Sequence, residues 1–197
     1  MDETEQKILN AAIKVFASEG YGGATTQRIA EVAGVNEVTL FRKFQSKENI
    51  LRAVITRNRE IILKILDSVL QIEKEEDIET SLRTLGRGLL KVMRERVNIM
   101  VILIAEGRRN PEVAVILESV IKMVVARISE YFEYQMKNGK MRIINSRTAA
   151  LTFLSYICHM SQLRGVISED ILGNDEEEFD GFVDIFIKGI LNAEEKK

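Results

Sequence analysis

Few side chains in this sequence are equipped for covalent or acid–base chemistry. Cys158 and His159 are the single cysteine and single histidine among 197 residues. A thiol nucleophile and an imidazole base must face each other, whereas adjacent positions on a helix diverge by about 100°. Two such residues also offer no ligand spacing for a metal site, so no metal and no cofactor is expected. The 30 acidic residues contain no pair singled out for proton transfer. Gly86 and Gly88 lie inside a helical pattern rather than a phosphate-cradling loop, and the glycines at 20, 22 and 23 form a turn between helices. Cys158 and His159 are assigned to packing, and no enzyme is expected.

What remains is non-covalent recognition, and charge is its first clue. The net charge of −2 argues against indiscriminate binding of polyanions by the whole molecule, but its distribution is uneven. Between Ala24 and Glu60, seven basic residues (Arg28, Arg42, Lys43, Lys47, Arg52, Arg57, Arg59) stand against four acidic ones. Between Val166 and Lys197, ten acidic residues stand against three lysines. One end can approach a phosphate backbone and the other cannot.

The elements that position these residues are helical. The chain is 46% hydrophobic and 29% charged, with one proline, which excludes a disordered tail and favours long helices over a many-turned sheet. One cysteine excludes an intrachain disulfide framework and suits a reducing cytoplasm. The start is acidic and amphipathic, unlike a secretory signal. The longest apolar run, Ile99 to Ala105, falls far short of the roughly 20 residues that span a bilayer, so no membrane partner is expected. Apolar periodicity predicts helices at Glu3–Ser18, Thr26–Ala33, Asn36–Phe41, from Ser46 onward, Ile78–Arg94, Asn98–Arg108, Pro111–Lys137, Ser146–Gly165 and Glu176–Ala193. Thr26, Asn36 and Ser46 are the predicted N-caps, Gly20 and Asn138-Gly139 the stops, and Glu73–Asp77 a charged surface connection. The fold class is all-α, with about nine helices.

Within this frame Thr25–Leu51 is the informative stretch. Two short helices flank Gly34, which suits a turn of positive φ. Ala30 is small where two helices must approach, and Ile29, Val35 and Leu40 are apolar where they would share a core. That pattern fits a helix-turn-helix and also an ordinary pair of antiparallel helices.

More residues extend the pattern: Phe16 with Gly20-Tyr21, Thr25-Thr26 with Ile29-Ala30, Ala33-Gly34-Val35, Thr39-Leu40-Phe41 with Phe44, and Ser46-Lys47-Glu48 with Leu51. Together, without a gap over residues 5–52, they resemble the DNA-binding domain of the TetR family of transcriptional regulators. Further on, Ala105-Glu106, Pro111-Glu112, Gly139 and Arg142 echo that family's effector domains. The resemblance implies a three-helix DNA-binding domain over residues 1–48 and a helical effector-binding and dimerisation domain over 49–197.

The resemblance implies that Asn36–Phe41 and its flanks enter the major groove. Physical chemistry then suggests roles. Lys43 and Lys47 suit phosphate contacts that set affinity and salt dependence. Thr26, Gln27 and Arg28 add donors at the start of the second helix. Glu37 can accept from a cytosine amino group or stand as a solvated or internally paired carboxylate, Val38 can touch a thymine methyl, and Thr39 can reach a phosphate or base. Arg42 joins this set. Phe41 stands where the family often has tyrosine and so lacks a hydroxyl for phosphate; Lys43 replaces a common histidine.

The same resemblance implies a homodimer joined through the last two long helices, with Leu154, Ile157, Cys158, Phe182, Ile185, Phe186 and Gly189 in the interface. It also implies a small apolar or amphipathic effector met by Ile65, Met93, Met100, Leu103, Ile104, Met123 and Tyr156, each of which fits an ordinary core position equally well. The expected function is a repressor released from operator DNA by that ligand. An activator, or a helical ligand-binding or protein-interaction module that no longer binds DNA, is the alternative.

Overall fold

A computed structural model describes residues 2–70, 77–95, 97–164 and 167–191, without the side chains of Val69, Asn98, Ile99 and Glu169. Among the described residues there are ten α-helices and no strand: α1 (Glu3–Gly23), α2 (Thr26–Ala33), α3 (Glu37–Phe44), α4 (Lys47–Val69), α5 (Ile78–Glu95), α6 (Val97–Gly107), α7 (Pro111–Lys137), α8 (Ser146–Leu163), α9 (Glu169–Leu172) and α10 (Asp175–Ile190). The four-residue α9 was not expected, because one turn is too short to show periodicity. Most of the expected surface connection (residues 73–76) and the expected helix ends at Gly165 and Ala193 lie outside the described residues.

Local chemistry sets most boundaries. Asp2 and Glu5 form a reciprocal capping box on α1, each carboxylate accepting the other's backbone N–H, at 2.9 and 3.0 Å. Gly20 takes φ +68° and interrupts α1 where the sequence places its stop, but one further turn carries the helix to Gly23. The N-cap of α2 is Thr25, whose hydroxyl accepts from the Arg28 N–H at 3.1 Å, and not Thr26 as expected. Two consecutive threonines satisfy the same signature, and the outer one takes the cap because its backbone is extended, at φ −116° and ψ 155°, while Thr26 is already helical. Asn36 caps α3 through the Val38 N–H at 2.8 Å. Ser46 accepts from the Asn49 N–H at 3.1 Å at the start of α4. Gly34, at φ +66°, closes α2 with the Val35 N–H reaching back to the Ala30 carbonyl.

The chain packs as two units. The first comprises residues 1–61 and 98–120; the second comprises residues 62–97 and 121–197. Helices α4 and α7 contribute residues to both. The expected domain boundary at residues 48 and 49 falls in the first turn of α4.

In the first unit, Ile8, Leu9, Phe16, Ile29, Leu40 and Ile50 are fully buried, and Leu103 and Val113 complete the core. In the second, α5 packs on α8 and α10. Phe132, Phe153, Phe179, Phe182 and Phe186 form a chain of tilted ring pairs, and Tyr156 stacks face to face on Phe182 at 3.8 Å. Arg83 on α5 ties Glu79, Asp180 and Asp184, while Arg87 also reaches Asp180 at 2.8 Å. This network holds α5 against α10.

Candidate nucleic-acid interface

Helix α3 is eight residues long and two-faced. Leu40 is fully buried, while Val38, two positions before it, is 74% exposed. Phe41 is 46% exposed and Arg42 is also exposed. At 100° per residue, Val38 and Arg42 lie almost opposite Leu40, with Phe41 beside them. Burial of Leu40 therefore turns these three outward. The caps at Asn36 and Gln45 fix both ends, Gln45 taking φ +65°.

The expected polar contacts divide into groups that are free and groups already engaged. Thr26 is half-buried and donates its hydroxyl to Glu37 Oε1 at 3.0 Å. That bond ties α2 to α3 through one oxygen of Glu37 and leaves the other able to accept. Arg28 pairs with Glu31 at 2.7 Å and Glu19 at 3.1 Å, and the Glu31 bond leads in raising its pKa above the ordinary value. Gln27 is exposed, Asn36 spends its side chain on the α3 cap, and Thr39 is half-buried. Among the described residues, no carboxylate pairs with Arg42.

The two lysines assigned to phosphate are tied inside the chain. Lys43 Nζ meets the Asp2 carboxylate and lies 3.4 Å from Glu5, leaving its side chain 17% exposed. Lys47 Nζ donates to the carbonyls of Tyr21 at 2.7 Å and Ala24 at 2.9 Å, and sits 4.5 Å from the centre of the Tyr21 ring. It closes the C-terminal end of α1, where carbonyls lack helical partners and a cation is favoured. Asp2, Glu5, Glu19 and Tyr21 are partners that no neighbouring pattern ties to these cations. The Asp-(x)2-Glu signature of the capping box was legible at residues 2 and 5, but nothing local connects it to Lys43.

These contacts shift titrations in opposite senses. The Lys43 hydrogen bond holds Asp2 below the ordinary carboxylate range, with help from the Glu5 N–H, and Asp2 in turn raises Lys43. A depressed carboxylate adds stability that is complete above its unfolded pKa and lost as pH falls through its folded value. The first unit is therefore expected to weaken below about pH 4, and Lys43→Met to flatten that acid limb in pH-dependent urea unfolding. Tyr21 moves the other way: burial raises its phenol, with the Glu48 carboxylate beside it adding to the shift.

The remaining expected residues are more scattered. Of the effector set, Leu103 is in the core of the first unit, Met100 is half-buried there, and Ile104 is exposed. Ile65, Met93, Met123 and Tyr156 are half-buried in the second unit. The second unit has one open cleft of about 380 Å³ bordered by Arg87, Lys91, Arg94 and Phe179, and another of about 490 Å³ bordered by Glu133, Met136, Ile143 and Arg147. Neither is lined by the expected effector residues. Of the interface set, Ile157 and Phe186 are buried within the chain, Leu154, Cys158 and Phe182 are half-buried, and Gly189 is exposed. Ile185 projects from α10 at 75% exposure. Burial pushes the Cys158 thiol up, away from reactivity.

The whole chain resembles known regulators. Residues 8–54 match the family model described as bacterial regulatory proteins, tetR family, and residues 80–192 match the AefR-like transcriptional repressor C-terminal domain. The uncharacterized HTH-type transcriptional regulator YvkB of Bacillus subtilis strain 168 is 25% identical over 191 residues, covering 96% of this chain and 98% of its own. Salmonella enterica GusR has a similar fold, with a TM-score of 0.79 at 21% identity over 94% of each chain. AibR, solved with isovaleryl coenzyme A and operator DNA, superposes with a TM-score of 0.72 at 21% identity, over 93% of this chain and 97% of that one. With its N-terminal helices and more than half its length matched by two models of one regulator class, the chain belongs to the TetR family of DNA-binding transcriptional regulators.

Proposed function

We propose that this protein is a dimeric repressor that reads a specific operator with α3 of each subunit and releases it when a small apolar or amphipathic ligand binds. The observation that carries the reading is α3 itself, capped at both ends, anchored by Leu40 and facing outward with Val38, Phe41 and Arg42. Residues 1–48 read DNA, and residues 49–197 take the ligand and the partner subunit. Two recognition helices about 34–36 Å apart read successive turns of one DNA face. The partner meets α8 and α10, where Ile185 and Gly189 are exposed and Leu154 is half-buried. Such a protein works in the cytoplasm beside its DNA and catalyses nothing.

AibR was solved with both an acyl-coenzyme A and operator DNA, which makes acyl-coenzyme A thioesters the first ligands to try. In the second unit Ile65, Met93, Met123 and Tyr156 are the groups proposed to meet the ligand, methionine suiting an adaptable apolar site. Helix α4 runs from Lys47, beside the reader, to Val69, so movement along it changes how the two α3 helices are presented. The ligand must bind the DNA-incompetent arrangement more tightly, and coupling of about 1–3 kcal/mol gives roughly 5–150-fold release.

Gel shifts on the DNA upstream of the gene, across a panel of acyl-coenzyme A thioesters and other amphipathic ligands, test this. At least one ligand is expected to weaken the complex by that factor. Unchanged affinity throughout would remove the ligand switch. Arg42→Ala is expected to weaken operator binding by about 1–3 kcal/mol, as for a contact to guanine or phosphate.

A further inference from the structure

We infer that Val38 and Phe41 select the operator by contact with thymine methyl groups, making this an apolar reader in which thymine outweighs cytosine. The inference rests on the proposed DNA-binding role and gives it a base preference. Three observations converge on it. First, the exposed face of α3 is apolar where base edges would be met: Val38 is 74% and Phe41 46% exposed, three positions apart on one side of the helix. An exposed valine and phenylalanine side by side in a short helix gain nothing from water, and they continue the surface already assigned to DNA. Second, Glu37, the residue on α3 able to accept from a cytosine amino group, is already hydrogen-bonded by Thr26 at 3.0 Å. That bond tethers the carboxylate towards α2 through one of its two oxygens.

Third, the neighbouring cations are engaged within the chain. Lys43 is held by Asp2 and Glu5, Lys47 by two backbone carbonyls, and Arg28 by Glu19 and Glu31. These contacts compete with phosphate for the three cations and lower the share of binding that charge supplies. In the major groove the thymine C5 methyl is the apolar group that marks one base pair from another.

The test uses the full-length protein and two forms of one duplex, the footprinted upstream DNA with thymine and the same DNA with deoxyuridine at every thymine inside the footprint. Uracil keeps each hydrogen-bonding group and loses the methyl. Wild-type protein is expected to bind the deoxyuridine duplex about fourfold more weakly for each methyl contacted. In Val38→Ala and Phe41→Ala, both surface changes, the penalty is expected to shrink towards none. A penalty of equal size in wild type and both variants would come from the DNA alone and overturn the inference. So would equal binding of both duplexes by the wild type, which would leave the DNA-binding role intact. No preference for the thymine duplex over scrambled DNA would overturn both.

Discussion

Gly86→Val is expected to destabilise the second unit by about 3 kcal/mol or more, read as a lower urea midpoint. At this position α5 runs against the ring of Phe179. A Cβ on residue 86 would stand 2.2 Å from its Cζ and 2.6 Å from its Cε2, with the Phe153 ring at 3.2 Å. Phe179 is 2% exposed and Phe153 fully buried, so neither ring can swing into solvent. Tyr156 and Phe182 flank Phe179 at centroid distances of 6.4 and 6.5 Å. Overpacking a filled core typically costs about 1–3 kcal/mol and occasionally more. Alanine would recover up to about 1 kcal/mol of helix propensity, so Gly86→Ala is expected to lose less than valine but still to lose. Gly181 on α10 supplies the contrast, because a Cβ there meets nothing within 4 Å. Gly181→Ala is expected to keep or raise the midpoint. A Gly86→Val protein unfolding at the wild-type midpoint would contradict the packing of α5 on α10.

Lys47→Met has the second largest expected effect, and it separates two roles for one cation. The ammonium donates to two half-buried carbonyls and lies over the Tyr21 ring. Hydrogen bonds involving a charged group contribute about 1.5–3 kcal/mol, and an exposed cation–π contact about 0.5–1 kcal/mol. Methionine keeps the apolar stem and removes the charged head, so a loss of about 2–3 kcal/mol in the stability of the first unit is expected. Were Lys47 a phosphate contact, the slope of log affinity against log salt would become shallower by about 0.9. With the head group committed to Tyr21 and Ala24, the slope is expected to stay at the wild-type value. A shallower slope with unchanged stability would return Lys47 to the phosphate backbone.

These two residues show where sequence is informative and where it stops. Helix type and position followed from apolar periodicity, and Asn36, Ser46, Gly34 and Gly139 marked boundaries through chemistry confined to a few neighbours. The outward face of α3 was likewise legible, since burying Leu40 fixes where Val38 and Arg42 point. The state of each cation was not. Lys43 is held from 41 residues away and Lys47 from 26 and 23 residues away, distances over which no local pattern speaks. Gly86 read as a helical glycine without a reason, because the ring that excludes its Cβ arrives 93 positions later in Phe179. Leu103, implied by resemblance to meet a ligand, is buried in the core of the first unit, and no property of leucine tells a core position from a ligand contact.

Sedimentation of the purified protein with its upstream DNA, paired with footprinting at one fixed salt concentration, tests the reader most directly. Two chains per duplex are expected, protecting half-sites centred about 34–36 Å apart, with affinity about 10³-fold or more above that for a scrambled duplex. A single chain on the DNA, or equal affinity for both duplexes, would contradict it.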